Sequence, residues 1–301
     1  MITIPSALLP SLFRLIRANR TLTDADRARA HVEAQRIRPA SYNPPPRVRS
    51  DVSISVDRRR GFPVYTVTPR RDDPRGNVVY AHGGAWVNEI VAPHWQLITQ
   101  LAAEARTTVT VPIYPLVPFG TAAGVVGDVV QLVLESIDTY GPTCLAGDSA
   151  GGQIALSAAL VLRDEHQVVL PRTVLIAPAL DLTMSNPGIE AVQPTDPWLG
   201  RKGSLIFIDH WRGELAVTDP RVSPLAADLA GLGPLTVFIG TRDILNPDAH
   251  LLADKAQAAG VDVDFHEAPG QLHVYPLLPT AVGRQARAVI VDRVRSALAG
   301  G

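Results

Sequence analysis

The stretch that most restricts what this chain can fold into runs from residue 78 to residue 152. Its far end reads Thr143-Cys144-Leu145-Ala146-Gly147-Asp148-Ser149-Ala150-Gly151-Gly152. An apolar strand leads into Gly-x-Ser-x-Gly, and Gln153-Ile154-Ala155-Leu156-Ser157-Ala158 leads out of it as a helix. A strand that must become a helix within one residue forces that residue into a sparsely populated conformation, usually with positive φ. Gly147 and Gly151 keep side chains out of the corner. Ser149 is then lifted clear of the sheet edge. Its hydroxyl lies beside the free N–H groups and positive dipole end of the new helix. The pentapeptide alone also fits a serine in a plain loop, but the flanking strand and helix favour a nucleophile.

The near end of the stretch carries a second patch. Asn77-Val78-Val79-Tyr80-Ala81 is too short and too β-branched for a helix and reads as a buried strand. His82-Gly83-Gly84-Ala85-Trp86 follows directly. Two consecutive glycines let the backbone approach a ligand closely with N–H groups pointing outward. Beside a nucleophile, such a loop suits the oxyanion of acyl transfer, where losing one donor costs about 2.7–4 kcal/mol of barrier.

The remaining chain alternates strand and helix. Strands are expected over 48–56, 62–68, 107–113, 173–178, 234–240 and 261–265, with helices over 93–105, 121–140, 246–260 and 281–298. This alternation argues for a mostly parallel sheet with helices on both faces. Residues 5–20 and 24–38 read as amphipathic helices, and Pro44-Pro45-Pro46 closes this section. Residues 1–46 are therefore expected to form an N-terminal cap. Residues 47–301 form the main domain, with a cap insertion at about 185–222, where Pro, Gly and aromatics interrupt the rhythm. A solvated arm or a membrane-grazing helix also suits the N-terminal segment.

Bulk properties narrow the partners. Of 301 residues 46% are hydrophobic, so a sizeable core can form, and the net charge of −1 argues against nucleic acid. One cysteine, Cys144, permits no intrachain disulfide and reads as inert strand core. Positive charges interrupt or follow the first apolar residues instead of preceding them, the wrong order for a secretory signal. The expectation is a cytoplasmic protein with no stable membrane insertion, and a homodimer is compatible with it.

A serine hydroxyl is a poor nucleophile near neutrality. It needs a histidine to take its proton and a carboxylate to hold that histidine's tautomer. In open sheets of this kind such groups sit at the carboxyl ends of strands. Asp243 and His273 each follow an expected strand after Ser149, in the chain order serine, acid, histidine. The rivals fit less well. His266 lies in a strand, His250 on a helix, and His210 in the insertion. Asp248 lies on a helix, Asp219 precedes a proline, and Asp148 suits a brace of the elbow.

Together, His82-Gly83-Gly84-Ala85-Trp86, Gly147-Asp148-Ser149-Ala150-Gly151 and Asp219-Pro220-Arg221-Val222-Ser223-Pro224 resemble the hormone-sensitive lipase family of bacterial carboxylesterases, in its Gly-Asp-Ser-Ala-Gly branch. The resemblance implies an α/β-hydrolase fold with helical caps, no cofactor and no metal. By position it implies Ser149 as nucleophile, Asp243 as acid and His273 as base. It also implies backbone N–H groups of Gly83, Gly84 and Ala150 as the oxyanion hole, with the His82 side chain bracing that loop. Ala85 stands where the family usually has a third glycine. Phe119 follows Pro118 where the family tends to show a glutamate.

The expected activity is hydrolysis of short- to medium-chain acyl esters through an acyl-enzyme. Trp86, Trp198, Phe207 and Trp211 are candidates for the substrate pocket, and each also suits ordinary core. The alternatives are an amidase or peptidase with the same triad, or a non-catalytic small-molecule receptor on the same scaffold.

Overall fold

The computed structural model describes residues 3–46, 48–71 and 73–300. At its centre is an eight-stranded sheet. In chain order the strands are β1 (Val52–Asp57), β2 (Val64–Pro69), β3 (Asn77–Ala81), β4 (Thr108–Pro112), β5 (Thr143–Asp148), β6 (Thr173–Ile176), β7 (Leu235–Arg242) and β8 (Val263–Leu272). Their spatial order is β1-β2-β4-β3-β5-β6-β7-β8. The β1–β2 and β2–β4 pairs are antiparallel, and every other pair is parallel. Strands β3, β4, β5 and β6 are buried along their whole length. That explains their mostly apolar and β-branched composition, since parallel strands are covered on both faces.

Helices α3 (Ala92–Ala105), α4 (Ala122–Tyr140), α5 (Ala150–His166), α8 (Asn246–Ala258) and α9 (Ala281–Ala299) cover the sheet. They pack chiefly as two pairs, α3 with α9 and α4 with α5. The last strand runs seven residues beyond its expected end at residue 265, to Leu272, so His273 stands at its carboxyl end. Polar residues Glu267, Gly270 and Gln271 hide this extension from an apolar-run reading.

The N-terminal section forms α1 (Leu9–Leu15) and α2 (Ala25–Ile37). Asp24 caps α2 by accepting the N–H groups of Asp26 and Arg27. The insertion carries a short helix, α6 (Gly188–Val192), and the longer α7 (Arg201–Arg212). Helix α2 packs on α7, and Gly203 N–H donates to Leu22 O at 2.8 Å. A Cβ at Gly203 would meet Thr21 O at 2.1 Å, so this contact requires glycine. The two cap segments expected from the sequence therefore touch each other.

Gln153 ties the insertion to the helix that follows Ser149. Its Oε1 accepts both indole N–H groups, from Trp86 at 3.1 Å and Trp211 at 2.9 Å. Its Nε2 donates to Ser157 Oγ and to Arg221 O. Among the described residues no helix is long and apolar enough to cross a membrane.

Candidate active site

The turn after β5 has the geometry that the glycine spacing demands. Ser149 adopts φ 53° and ψ −118°. Its N–H donates to Ile176 O at 2.8 Å, which fixes it to the neighbouring strand. A Cβ at Gly147 would meet Gly151 O at 2.1 Å, and one at Gly151 would meet Ala81 O at 2.0 Å. No larger residue fits either position without moving backbone.

Three side chains far apart in sequence meet at this rim. His273 Nε2 lies 2.8 Å from Ser149 Oγ, and His273 Nδ1 lies 2.7 Å from Asp243 Oδ2. Asp243 Oδ1 accepts the Leu245 N–H at 3.0 Å. Asp243 and His273 are both buried, so the pair sits in a medium of low polarity. Burial pushes the His273 imidazole down, but the neighbouring carboxylates, Asp243 first and then Asp196 and Asp148, together outweigh it and hold the ring above the usual 6.5. The rival residues are engaged elsewhere. His266 stacks on Phe238 with its Nε2 2.9 Å from Asp264 Oδ1, His250 bonds to Glu267, and His210 is exposed on α7. Asp248 accepts from Asn186, and Asp219 pairs with Arg221.

The loop after β3 requires one correction. Gly83 N–H is not free to meet an oxyanion, because it donates to Asp148 Oδ1 at 2.9 Å. Asp148 also accepts from Tyr80 Oη at 2.8 Å and from His94 Nε2 at 3.1 Å. His94 Nδ1 accepts the Val91 N–H at 3.0 Å, so the ring proton is on Nε2. Asp148 thus braces the glycine loop from the neighbouring strand as well as standing next to Ser149. The N–H groups of Gly84, Ala85 and Ala150 have no partner among the described residues. Of the three expected donors, Gly84 and Ala150 are unpaired and Gly83 is not, while Ala85 offers a further unpaired N–H. Gly84 has φ 137°, and a Cβ there would meet Asn88 O at 2.4 Å. His82 braces the loop as expected, with Nδ1 2.8 Å from Gly83 O. Burial pushes its imidazole down to about 4, which keeps it neutral.

Ser149 lines two cavities. The larger, about 240 Å³, also takes in Glu89, Val91, Trp198, His273, Leu277 and Leu278. The smaller, about 40 Å³, takes in Trp86, Ala150, Ala179, Met184 and Ile208. Trp198 therefore lines one cavity and Trp86 the other. Phe207 and Trp211 line neither, since both are fully buried side chains of the core. Their aromatic character reflects packing of α7, with Trp211 stacked on Trp86 at 5.7 Å. Cys144 is buried core, its thiol pushed up to about 12 by burial.

Sequence reasoning missed Asp196. Its Oδ1 accepts the N–H groups of Trp198 and Leu199, and its Oδ2 accepts the Ile244 N–H at 3.0 Å. It joins the insertion to the loop that carries Asp243. Burial, and then the nearby Asp243 charge, push it up to about 6. The only signal was an Asp-Pro pair inside a loop-like stretch, which carries no such meaning alone. Among the described residues no group of three or more His, Cys, Asp or Glu side chains is placed to hold a metal ion.

Known proteins share this framework. A family model described as alpha/beta hydrolase fold matches residues 78–277. A triacylglycerol lipase of Mycobacterium tuberculosis is 35% identical over 242 residues, covering 78% of this chain and 50% of the lipase. An esterase of Acinetobacter venetianus is 32% identical over 192 residues, covering 62% of this chain and 63% of the esterase. The chain thus spans between half and two thirds of the length of these two relatives. A solved esterase from the bacterial hormone-sensitive lipase family superposes with a TM-score of 0.82 at 24% identity, covering 99% of this chain and 100% of that one. The resemblance read from the three motifs points the same way as these matches. This chain belongs to the alpha/beta hydrolase fold family.

Proposed function

We propose that the chain hydrolyses carboxylic esters of short acyl chains, with Ser149 as nucleophile, His273 as base and Asp243 as the acid that orients it. One observation carries the reading. The hydrogen-bonded relay Asp243–His273–Ser149 is unbroken, and it stands beside three unpaired N–H donors at Gly84, Ala85 and Ala150. In this reading Ser149 Oγ attacks the ester carbonyl as His273 Nε2 takes its proton. The carbonyl oxygen, now negative, rests on the three donors. His273 returns the proton to the leaving alcohol, and water then repeats the sequence on the acyl-enzyme. The relatives support it, being named as a lipase and an esterase.

The two cavities receive different halves of the ester. The leaving oxygen takes its proton from His273, so the alcohol lies on the side that His273 lines, in the larger cavity. The acyl group then points past Ala150 into the smaller one. Room for about three waters is room for an acetyl or propionyl group and little more. Residues 1–46 and the insertion act as the cap, since Leu22 lines both cavities and Leu199 joins it in both.

A series of nitrophenyl esters tests this. The kcat/KM value is expected to fall by about tenfold or more from butyrate to octanoate, because surplus methylenes must displace packed side chains. Equal turnover of acetate and octanoate overturns the acyl assignment, and no turnover of any ester overturns the function.

The pH profile supplies a second test. His273 must be unprotonated to accept the Ser149 proton, and its folded value is raised above 6.5. Activity is therefore present above that raised value and is lost as pH falls through it. The acid limb of kcat/KM is expected to be centred above 6.5, and a limb centred lower contradicts the dominance of the neighbouring carboxylates over burial.

A further inference from the structure

Glu89 sits in the wall of the larger cavity, four residues beyond the Ala85 donor. Its side chain is 9% exposed, and its Oε2 is buried without a hydrogen-bond partner. Among the described residues no cation pairs with it, and burial alone pushes its carboxyl up to about 7. A buried carboxyl with no donor is costly and rare, and a ligand is one of the few things that accounts for it.

Apart from the backbone donors at Gly84 and Ala85, which do not bond to it, the rest of the wall offers it no free side-chain donor. Val91, Trp198, Leu277 and Leu278 are apolar. Asn88 spends its amide on Gly84 O and on His31. His94 is spent on Asp148 and Val91, and His273 on Asp243 and Ser149. Glu89 is thus the lining side chain whose polar capacity is unused, in the cavity that receives the leaving alcohol.

We propose that Glu89 is a specificity-determining residue that favours esters whose leaving alcohol carries a hydrogen-bond donor, either a hydroxyl or an ammonium. The proposal rests on the ester-hydrolase reading above. The donor would satisfy a carboxyl that an alkyl alcohol leaves bare, and a site built around a substrate donor discriminates strongly against the analogue lacking it. Glu89 lies outside the proton relay, so its removal is expected to alter which ester is chosen, with the chemistry of simple esters left in place.

The test pairs each donor ester with its isostere. These are 3-hydroxypropyl acetate against butyl acetate, and 3-(dimethylamino)propyl acetate against 4-methylpentyl acetate, together with homologues one methylene longer. In the wild type the donor member of at least one pair should have the higher kcat/KM. Glu89→Leu should lower that ratio by about tenfold or more, while the melting temperature stays at or above wild type. Glu89→Gln separates the two donors: it should keep a hydroxyl preference and lose an ammonium one. Ratios that are the same in wild type and Glu89→Leu for every pair overturn the proposal. If the wild type hydrolyses no ester, the ester reading itself has failed, and binding then judges Glu89. Calorimetric titration of Ser149→Ala with 3-(dimethylamino)propanol and 4-methylpentanol, with and without Glu89→Leu, supports the assignment if only the amine weakens. It overturns the assignment if neither does.

Discussion

Ser149→Ala is expected to lower kcat for nitrophenyl acetate by on the order of a million-fold, with KM changed by only a small factor. The size follows from what the hydroxyl does. In the proposed mechanism its oxygen is the atom that bonds to the acyl carbon, so without it the reaction must use water directly. The structure gives Ser149 Oγ one hydrogen bond, to His273 Nε2. The fold therefore loses little, and the positive φ at this position is no worse for alanine than for serine. The donors at Gly84, Ala85 and Ala150 and both cavities remain. For that reason a residual acceleration of about 10³–10⁴ over water is expected to survive. His273→Ala should cost about as much, and the double variant little more, because the relay works as a unit. Melting curves that match the wild type, together with a lost burst of nitrophenol, make the result chemical and not structural. A Ser149→Ala protein that turns over nitrophenyl acetate near the wild-type rate removes Ser149 from the reaction.

The residues that could be read from the sequence are those whose job is fixed by backbone geometry. Gly147 and Gly151 were legible because a strand-to-helix corner tolerates no Cβ, and the structure puts backbone oxygen within 2.1 Å of where one would stand. The sheet was legible because β3 to β6 are covered on both faces and so are mostly apolar or β-branched, threonine being their commonest polar residue. Asp243 and His273 were placed by their positions after strands, although the last strand runs further than its apolar part suggests.

What could not be read is pairing across the sheet. Asp148 and Gly83 are 65 positions apart, and no local pattern says that the carboxylate takes the Gly83 N–H and moves the free donors one residue along. The same is true of Asp196, whose three backbone partners lie on two segments brought together only by folding. The aromatic residues left pocket and core both open for a related reason. Phe207 and Trp211 share composition with Trp198, but the turn of α7 directs them into the core, while Trp198 stands edge-on to His273 at 5.7 Å. A composition-rich loop gives no rotation angle, so pocket and core cannot be told apart there. Glu89 was silent in sequence because one acidic residue after an apolar loop usually means a solvated surface, and only burial makes it unusual.

Asp243→Asn is expected to lower kcat by about 10⁴-fold while leaving the fold and KM nearly intact. The local hydrogen bonds give the reason. Asp243 Oδ1 accepts the Leu245 N–H and Oδ2 accepts the His273 Nδ1–H, so both carboxylate oxygens act as acceptors. An amide has one acceptor and one donor. If its oxygen stays on the buried Leu245 N–H, its NH₂ faces His273 Nδ1 and forces that nitrogen to accept. The ring proton then moves to Nε2 and points at Ser149 Oγ, where a base is needed. The flipped amide restores the tautomer but sets NH₂ against the Leu245 N–H in a buried site, which is the costlier arrangement. Asp243→Ala has no donor to impose, and a water in the vacated space can accept from Nδ1–H. If tautomer control is the main role of Asp243, the asparagine variant is therefore at least as slow as the alanine variant. If charge alone matters, the two lose activity equally and both acid limbs move below the wild-type value. A loss under about tenfold in Asp243→Asn would take Asp243 out of the relay, since a misdirected ring proton cannot be that cheap.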